Sequence, residues 1–399
     1  MSQRDENILD VVVVGAGIQG AGVAQAAVAE GWSTLVLEKA EKPACGTSSK
    51  SSKLIHGGLR YLETMQFKLV RDCLKEKKRL CELAPDLVKP ARFIIPVYSH
   101  FQRAPIWIQL GLYLYKLLGW PSLNPVRGKC SKQSWGEHVS LEKDGLQAVF
   151  EYEDAQTDDA SLTEAVLASA KSLGAAVRFD VQISAITKTA SSGKTIYALA
   201  LNNGEQIFTR SIVNATGPWV NKFAQLFEDC RVPAMQVDLV QGAHIVLNRP
   251  ALSCCYYVES PDDGRAMFVL PWKGKIMVGT TESHFEGEPE DCAATPEEVS
   301  YLLKAFNRYF PALHAEHADI VEQFAGLRVL PVADSSENKR SRDTVLVCSD
   351  SMPGYLAIYG GKLTAYRSSA EKVISRLARH LPKKAKIADT RELHLVAVR

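Results

Sequence analysis

The stretch Asp10–Gly22, DVVVVGAGIQGAG, decides the fold of this chain. Its run Val11–Val14 is β-branched and apolar throughout, which is typical of a strand buried on both faces of a parallel sheet. A glycine-rich turn follows at once, and small residues then continue as a predicted helix to about Glu30. A second apolar run, Ser33–Leu37, completes a strand–helix–strand unit. This pattern predicts a dinucleotide-binding α/β fold.

The turn itself has the spacing GxGxxG, formed by Gly15, Gly17 and Gly20. Glycines at these positions let the backbone approach a pyrophosphate, and the helix that follows directs its N–H groups at the phosphates. Glu38 ends the second strand, where a carboxylate accepts hydrogen bonds from ribose hydroxyls and repels a 2′-phosphate. The loop therefore disfavours NADP and leaves NAD and FAD open.

Two more glycine-rich segments favour a flavin. Asn214–Trp219 (NATGPW) and Gly360–Thr364 (GGKLT) each follow a predicted strand, and the second opens the last predicted helix, Thr364–His380. That segment directs a helix N-terminus and Lys362 at a ligand, a field that suits the N1/C2=O edge of a reduced, anionic flavin. Either segment alone fits a simple glycine turn, but their order behind GxGxxG favours flavin.

Composition and charge exclude several classes of protein. The chain has 399 residues, 46% of them apolar and 23% charged, which allows two ordinary globular domains. Its net charge of +2 argues against a nucleic-acid partner. An N-terminus without an apolar core predicts no signal peptide, and the nine cysteines lack a CxxC pair, so we expect reduced thiols and a cytoplasmic protein. The adjacent Cys254 and Cys255 fit either a redox pair or two strand residues.

The expected fold class is α/β with an α+β substrate domain. A Rossmann-like cofactor domain is assembled from the discontinuous segments 1–85, 148–235 and 322–385. Alternating strands between about Val237 and Gly279 predict a mainly antiparallel sheet in a substrate domain of residues 86–147 and 236–321. Residues 386–399 form a tail. Leu59–Leu87 is predicted to be one amphipathic helix.

The segment 47–62, TSSKSSKLIHGGLRYL, closely resembles the signature of FAD-dependent glycerol-3-phosphate dehydrogenases. Further segments resemble the same family in the same order: NATGPW, Gly242–Val246 (GAHIV), Val278–Thr281 (VGTT), Gly326–Arg328 (GLR) and GGKLT. The resemblance implies a fold like that of D-amino-acid oxidase, tightly bound FAD, and oxidation of glycerol 3-phosphate to dihydroxyacetone phosphate. Electrons would pass to a membrane quinone, or to oxygen as in related oxidases.

The chain departs from the family pattern at two points. Family members usually continue into a helical C-terminal domain, whereas this sequence ends at Arg399. Glu282 stands where the family usually has Asp.

The glycine loop and the resemblance together assign one set of residues to the cofactor. No Cys or His stands out as a covalent anchor, so we expect non-covalent FAD. The assigned residues are Gly15, Gly17, Ile18, Gly20, Glu38, Lys39, Thr47, Ser48, Ser52, Lys53, Leu54, His56, Gly57, Gly58, Val181, Ala215, Thr216, Gly217, Trp219, Gly361, Lys362, Leu363 and Thr364.

A phosphorylated polyol substrate requires cations, and Arg is preferred because its planar fork binds phosphate oxygens in pairs. The motif-matched candidates are Arg60, Arg328 and Arg342, with Tyr61 beside the first. A carboxylate substrate would need only one Arg. An FAD-dependent oxidase of a small hydroxy acid or amine is therefore one alternative, and a non-catalytic flavin-binding homologue is another.

Oxidation of an alcohol also requires a base for the hydroxyl proton. His244 is the candidate, and a pKa near neutrality would suit the task. Lys362 holds the flavin or orients the substrate, which makes His244, Arg328, Arg60 and Lys362 the predicted catalytic set. His314 and His317 have a spacing that could bind metal, but they lie in a polar stretch without a third ligand, and we predict no metal site.

The uncharged run Ala104–Tyr115, APIWIQLGLYLY, is too short to span a bilayer. It predicts either a buried helix or an interfacial one, since aromatic and apolar residues flanked by Arg103 and Lys116 suit a membrane surface. Peripheral contact would place the protein at the inner face of the cytoplasmic membrane.

Overall fold

The computed structural model describes residues 8–101, 103–119, 126–137, 140–332 and 343–398. Seven α-helices lie in these ranges: α1 (Ile18–Ala29), α2 (Phe67–Leu83), α3 (Pro105–Leu118), α4 (Asp159–Ser172), α5 (Val220–Ala224), α6 (Pro296–Tyr309) and α7 (Tyr366–Leu377). The strands are β1 (Leu9–Val14), β2 (Thr34–Leu37), β3 (Leu54–Ile55), β4 (Val88–Tyr98), β5 (Val126–Lys129), β6 (Leu146–Thr157), β7 (Ala176–Arg178), β8 (Ile183–Ser191), β9 (Lys194–Leu201), β10 (Gln206–Asn214), β11 (Val237–Leu247), β12 (Cys255–Glu259), β13 (Ala266–Trp272), β14 (Lys275–Gly279), β15 (Ser283–His284), β16 (Ile320–Pro331), β17 (Val345–Cys348) and β18 (Tyr355–Tyr359).

The first sheet has β1 at its centre. Its order is β17-β18-β10-β1-β2-β7, and the neighbours from β18 to β7 run parallel. Val11, Val12 and Val13 are 0% exposed, as a strand covered on both faces requires. Helix α1 packs between α4 and α7, where Gly22 lies against the ring of Tyr366. The predicted strand–helix–strand unit and the Rossmann-like sheet are confirmed.

The parallel strands of this sheet come from three separated stretches of the chain. β1 and β2 come from the N-terminal stretch, β7 and β10 from the middle, and β18 from the C-terminal stretch. Parallel neighbours require long crossover connections, and the residues in these connections form helices and the second sheet. A discontinuous cofactor domain was predicted from the sequence.

The second sheet is mainly antiparallel. Its order is β15-β11-β14-β13-β12-β4-β6-β3, with β16 paired to β11 and β5 paired to β6. Helix α6 covers one face of it, with Leu302 and Phe306 fully buried in the same apolar cluster as Ile245 and Val278. A Thr295–Glu298 capping box begins this helix. The predicted antiparallel sheet is confirmed.

Two strands lie in a different sheet from the one that the predicted boundaries imply. β6 and β16 fall in segments 148–235 and 322–385, yet β6 pairs with β4 and β16 with β11 in the second sheet. The sequence of β6 lacks a clear apolar alternation, because this strand also buries the carboxylates Glu151 and Asp154. These form ion pairs with Arg92 and Lys77, respectively. The division into domains stays a prediction, with these two strands moved to the substrate side.

The region predicted as one helix over Leu59–Leu87 is divided. A 3-10 helix over Leu59–Leu62 comes first, and α2 begins only at Phe67. Met65, with φ of 59°, interrupts the helical path between them. The break matters because the short helix carries two predicted substrate residues.

The tail lies against the C-terminal ends of α1 and α2. The Ile387 N–H donates to the Ala29 carbonyl oxygen at 2.8 Å, and the Leu395 N–H donates to the Leu83 carbonyl oxygen at 2.8 Å. These contacts connect residues of the predicted 386–399 tail to α1 and α2.

Candidate cofactor and substrate site

The glycine loop forms the tight turn that its sequence predicts. Gly15 has φ of +102°, and its N–H donates to the Leu37 carbonyl oxygen at 2.8 Å. A Cβ on Gly20 would lie 1.9 Å from the Gly15 carbonyl oxygen, so only glycine fits there. Glu38 lies beside the loop and accepts a hydrogen bond of 2.6 Å from the Ala16 N–H. The Ile18 N–H, at the start of α1, donates to Ser48 Oγ at 2.9 Å.

Other predicted cofactor residues gather around this turn. The Val181 N–H donates to the Glu38 carbonyl oxygen at 3.0 Å. The Lys39 ammonium lies 4.0 Å from the centroid of the Trp219 ring. Ala215 packs against Gly15, since a Cβ added to Gly15 would lie 2.7 Å from the Ala215 carbonyl oxygen. Segments far apart in sequence therefore meet at one end of the parallel sheet, where nucleotides bind in folds of this type.

The GGKLT segment lies opposite the glycine loop. A Cβ on Gly361 would be 2.6 Å from Gln19 Nε2. Both polar atoms of the Gln19 amide are buried and have no hydrogen-bond partner among the described residues. A buried amide without a partner is costly, so this position calls for a polar ligand. Gln19 is absent from the predicted set because it occupies a variable position of GxGxxG.

The Lys362 ammonium lies 3.5 Å from the centroid of the Tyr61 ring and 3.8 Å from Cys73 Sγ. A cation over an aromatic face is attracted to it, so the contact joins a predicted cofactor residue to a predicted substrate residue. Cys73, on α2, was not predicted, because an isolated cysteine in an amphipathic helix carries no signal. Burial raises the pKa of its thiol.

His244 lies on β11 and is 2% exposed. Its Nε2 is 2.9 Å from Ser52 Oγ, and its ring stacks on Phe324 with centroids 5.0 Å apart. A Cβ on Gly279 would be 2.1 Å from its Cδ2, so the ring lies directly against that backbone. Ser52 was predicted to contact the cofactor, and here it also fixes the orientation of the candidate base.

The pKa of His244 is lowered to about 3, first by burial and then by the positive charges of Arg328 and Lys53. From the sequence we expect a pKa near neutrality for this base. The difference arises because burial and two cations from distant segments all oppose protonation. The imidazole is therefore neutral and its lone pair can accept a proton, but the lowered pKa makes it a weaker base than the sequence led us to expect.

The low pKa of His244 predicts acid sensitivity. Lowering the pH from about 6 to about 4 should destabilise the wild-type protein by roughly 2 kcal/mol relative to a His244→Asn variant. In the unfolded chain the imidazole takes up a proton at its ordinary pKa of 6.5, while the folded one stays neutral down to about pH 3. The contribution of the neutral His244 to the free energy of unfolding is fully present above pH 6.5 and is lost as the pH falls towards 3. Denaturant unfolding of both proteins at both pH values measures it, and a pH-independent difference would contradict it.

The segment Gly279–Glu282 joins the candidate base to the two predicted arginines. Gly279 packs on His244, and the Thr280 hydroxyl accepts a hydrogen bond of 3.0 Å from Arg328 Nη2. Arg60 Nη2 lies 3.8 Å from Glu282 Oε2. One short segment thus contacts a candidate base and two guanidinium groups. Arg342 lies outside the described residues.

The remaining predicted cofactor residues connect the loops to one another. The Thr47 hydroxyl donates to the Leu327 carbonyl oxygen at 2.9 Å, and the His56 N–H donates to the Thr364 hydroxyl at 3.1 Å. The Lys53 ammonium forms a buried ion pair of 2.6 Å with Asp159. The others lie in the same loops or flanking strands: Gly17, Leu54, Gly57, Gly58, Thr216, Gly217 and Leu363.

In the described part of the chain, no three His, Cys, Asp or Glu side chains are close enough together to hold a metal ion. His314 and His317 are both exposed. Cys254 and Cys255 are buried free thiols whose pKa values are raised by burial. Cys255 begins β12 and Cys254 directly precedes it, and buried thiols with raised pKa values are poor nucleophiles.

The chain matches the model of the FAD-dependent oxidoreductase family over residues 10–367. It is 37% identical over 385 residues to the aerobic glycerol-3-phosphate dehydrogenase of Escherichia coli, covering 92% of this chain and 73% of that protein. It belongs to the FAD-dependent oxidoreductase family. It is also 34% identical to the D-erythritol 1-phosphate dehydrogenase of Brucella abortus, over 94% of this chain and 74% of that one. A solved glycerol-3-phosphate dehydrogenase from Bacillus halodurans, complexed with FAD, superposes with a TM-score of 0.75 at 27% identity, covering 98% of this chain and 68% of that chain.

The sequence-based resemblance to the glycerol-3-phosphate dehydrogenases is therefore confirmed, and FAD is selected over NAD. The residues of this FAD-dependent oxidoreductase fit that cofactor. The close approach of Gly15 and Gly20 admits a pyrophosphate at the N-terminus of α1, and the buried Gln19 amide calls for a polar ligand beside Gly361. Lys362 lies next to this position and supplies positive charge.

Proposed function

We propose that this chain oxidises sn-glycerol 3-phosphate to dihydroxyacetone phosphate. The observation that carries the proposal is the segment Gly279–Glu282, which contacts His244, Arg328 and Arg60 beside the cofactor loops. A base and more than one guanidinium suit an alcohol that bears a phosphate. The names of the relatives at 34–37% identity support the same substrate class.

FAD, when bound, supplies the acceptor for the hydride. Arg328 and Arg60 bind the substrate phosphate, and their planar forks fix its orientation. His244 takes the hydroxyl proton at Nε2, the nitrogen that faces the cofactor loop through Ser52. In the tautomer that carries its proton on Nδ1, Nε2 accepts a hydrogen bond from the Ser52 hydroxyl at 2.9 Å, and the substrate hydroxyl replaces that donor. Phe324 and Gly279 hold the ring in place while the proton moves.

The substrate assignment is tested by anaerobic mixing of the holoprotein with a panel of compounds while the flavin absorbance is followed. Reduction by sn-glycerol 3-phosphate but not by glycine, sarcosine or 2-hydroxyglutarate supports it. D-erythritol 1-phosphate is the second candidate, favoured by the Brucella relative. Faster reduction by that compound would move the assignment to the longer polyol. A flavin that no compound reduces would indicate a non-catalytic homologue.

We further propose peripheral membrane contact through α3, with a bilayer quinone as electron acceptor. Leu112 and Tyr115 bury one face of this helix, while the opposite face is open: Ile106, Trp107, Leu110, Tyr113 and Leu117 are 54–68% exposed. No helix in the described ranges is long and apolar enough to cross a membrane. An exposed face of aromatic and apolar residues with Lys116 in the last turn suits the surface of an anionic bilayer, here the inner face of the cytoplasmic membrane.

A Trp107→Glu/Leu110→Glu variant should lose membrane binding. Two carboxylates would have to enter the apolar layer, so we expect liposome-bound protein to fall by about tenfold or more in flotation with anionic vesicles. Val321→Glu, which alters an exposed apolar residue on β16, is the matched control and should float like wild type. Wild-type protein that stays wholly in the soluble fraction would contradict peripheral binding.

A further inference from the structure

Glu282 is a buried carboxylate held between two guanidinium groups. Its side chain is 2% exposed, and its Oε2 lies 3.8 Å from Arg60 Nη2 and 3.1 Å from Arg265 Nη1. Arg265 Nη1 also donates to the Glu282 carbonyl oxygen at 3.2 Å. A buried charge is costly without partners of opposite sign, so both arginines stabilise the charged carboxylate of Glu282.

The backbone on both sides of Glu282 is fixed. The hydroxyls of Thr281 and Ser283 both donate to Glu298 Oε1, at 2.6 and 2.7 Å. Because side chains alternate in extended chain, Glu282 points the other way, towards Arg60 and Arg265. Glu298 also belongs to the capping box that starts α6. The carboxylate of Glu282 is therefore preorganised rather than free to swing.

Arg265 is anchored independently of Arg60. Its Nε lies 3.5 Å from Asp263 Oδ2, and Asp263 Oδ1 accepts a hydrogen bond of 2.9 Å from the Tyr301 hydroxyl on α6. Arg265 can thus balance the charge of Glu282 without entering the substrate space. Arg60, at 26% side-chain exposure, is the member of the group that faces outward to a ligand.

We propose that Glu282 is the positioning residue that holds Arg60 for a phosphomonoester and so sets the preference for phosphorylated substrates. The proposal rests on the proposed function in one respect, that Arg60 binds the substrate phosphate. An arginine tethered by a carboxylate has already lost side-chain freedom before the ligand arrives. Without the carboxylate, two guanidinium groups that share one partner would repel each other, and Arg60 would leave its place.

The test compares Glu282→Gln and Glu282→Asp with the matched control Glu286→Gln, whose carboxylate is 87% exposed. The first readout is the Kd of inorganic phosphate, taken from the change it causes in the flavin absorbance of the oxidised holoprotein. We expect Glu282→Gln to weaken phosphate binding about tenfold and to raise the KM for sn-glycerol 3-phosphate in parallel, with kcat within about twofold. Glu282→Asp should fall between it and wild type, and Glu286→Gln should match wild type.

An unchanged phosphate Kd in Glu282→Gln would overturn the proposal, as would a loss of kcat at constant KM. If that variant does not hold flavin, Glu282→Asp decides in the same way, because it keeps the charge and shortens its reach. If the wild-type protein binds phosphate but sn-glycerol 3-phosphate does not reduce its flavin, the proposed function alone is contradicted. If the wild-type protein does not bind phosphate, the proposed role of Glu282 is contradicted.

Discussion

Replacing His244 by Asn is expected to slow anaerobic reduction of the flavin by sn-glycerol 3-phosphate by about 10²- to 10⁴-fold. Asn can still accept a hydrogen bond from Ser52, which lies 2.9 Å from the imidazole, but it cannot take a proton. His244 is 2% exposed, so bulk water cannot replace it as the base. Stopped-flow absorbance at saturating substrate measures the change.

His314→Asn is the control for this variant, because that histidine is exposed and directly follows the 3-10 helix Pro311–Leu313. It should reduce its flavin at the wild-type rate. A His244→Asn protein that keeps its flavin and is slowed by less than about tenfold would show that another group takes the proton.

Gly20→Ala is expected to remove the cofactor. The new Cβ would lie 1.9 Å from the Gly15 carbonyl oxygen, and backbone cannot yield as a flexible side chain can. The turn would have to open, which displaces the N-terminus of α1 from the pyrophosphate position. Overpacking of this kind costs roughly 3 kcal/mol, so FAD should bind about 100-fold more weakly. The ratio of flavin to protein absorbance after purification measures the loss.

Gly111→Ala is the matched control, since a Cβ added to this half-buried glycine of α3 meets nothing within 4 Å. It should retain full flavin content. Gly20→Ala protein that is isolated with the wild-type amount of flavin would mean that the loop does not hold the pyrophosphate.

The features that could be predicted from sequence are those whose signals are local. Val11–Val14 with the glycine loop specifies one strand, one turn and one helix within thirty residues, and the structure follows it. Helix α6 begins at Pro296, directly after Thr295, and the Thr295–Glu298 capping box is a start signal that a local stretch of sequence carries by itself.

The features that could not be predicted depend on contacts between distant segments. β6 is a strand whose buried carboxylates are paired by Arg92 and Lys77 from other elements, so its own sequence lacks clean alternation. The lowered pKa of His244 arises from Lys53 and Arg328, which no local pattern connects to it. The roles of Gln19 and Glu282 are likewise visible only once the loops are folded together.

The most direct test of the account is anaerobic addition of sn-glycerol 3-phosphate to the purified holoprotein while the oxidised flavin band is followed. The arrangement of His244, Arg328 and Arg60 beside the cofactor loops predicts rapid bleaching of that band. Bleaching would establish substrate class and catalytic competence together. A flavin band that stays unchanged at saturating substrate would contradict the central claim that this site oxidises glycerol 3-phosphate.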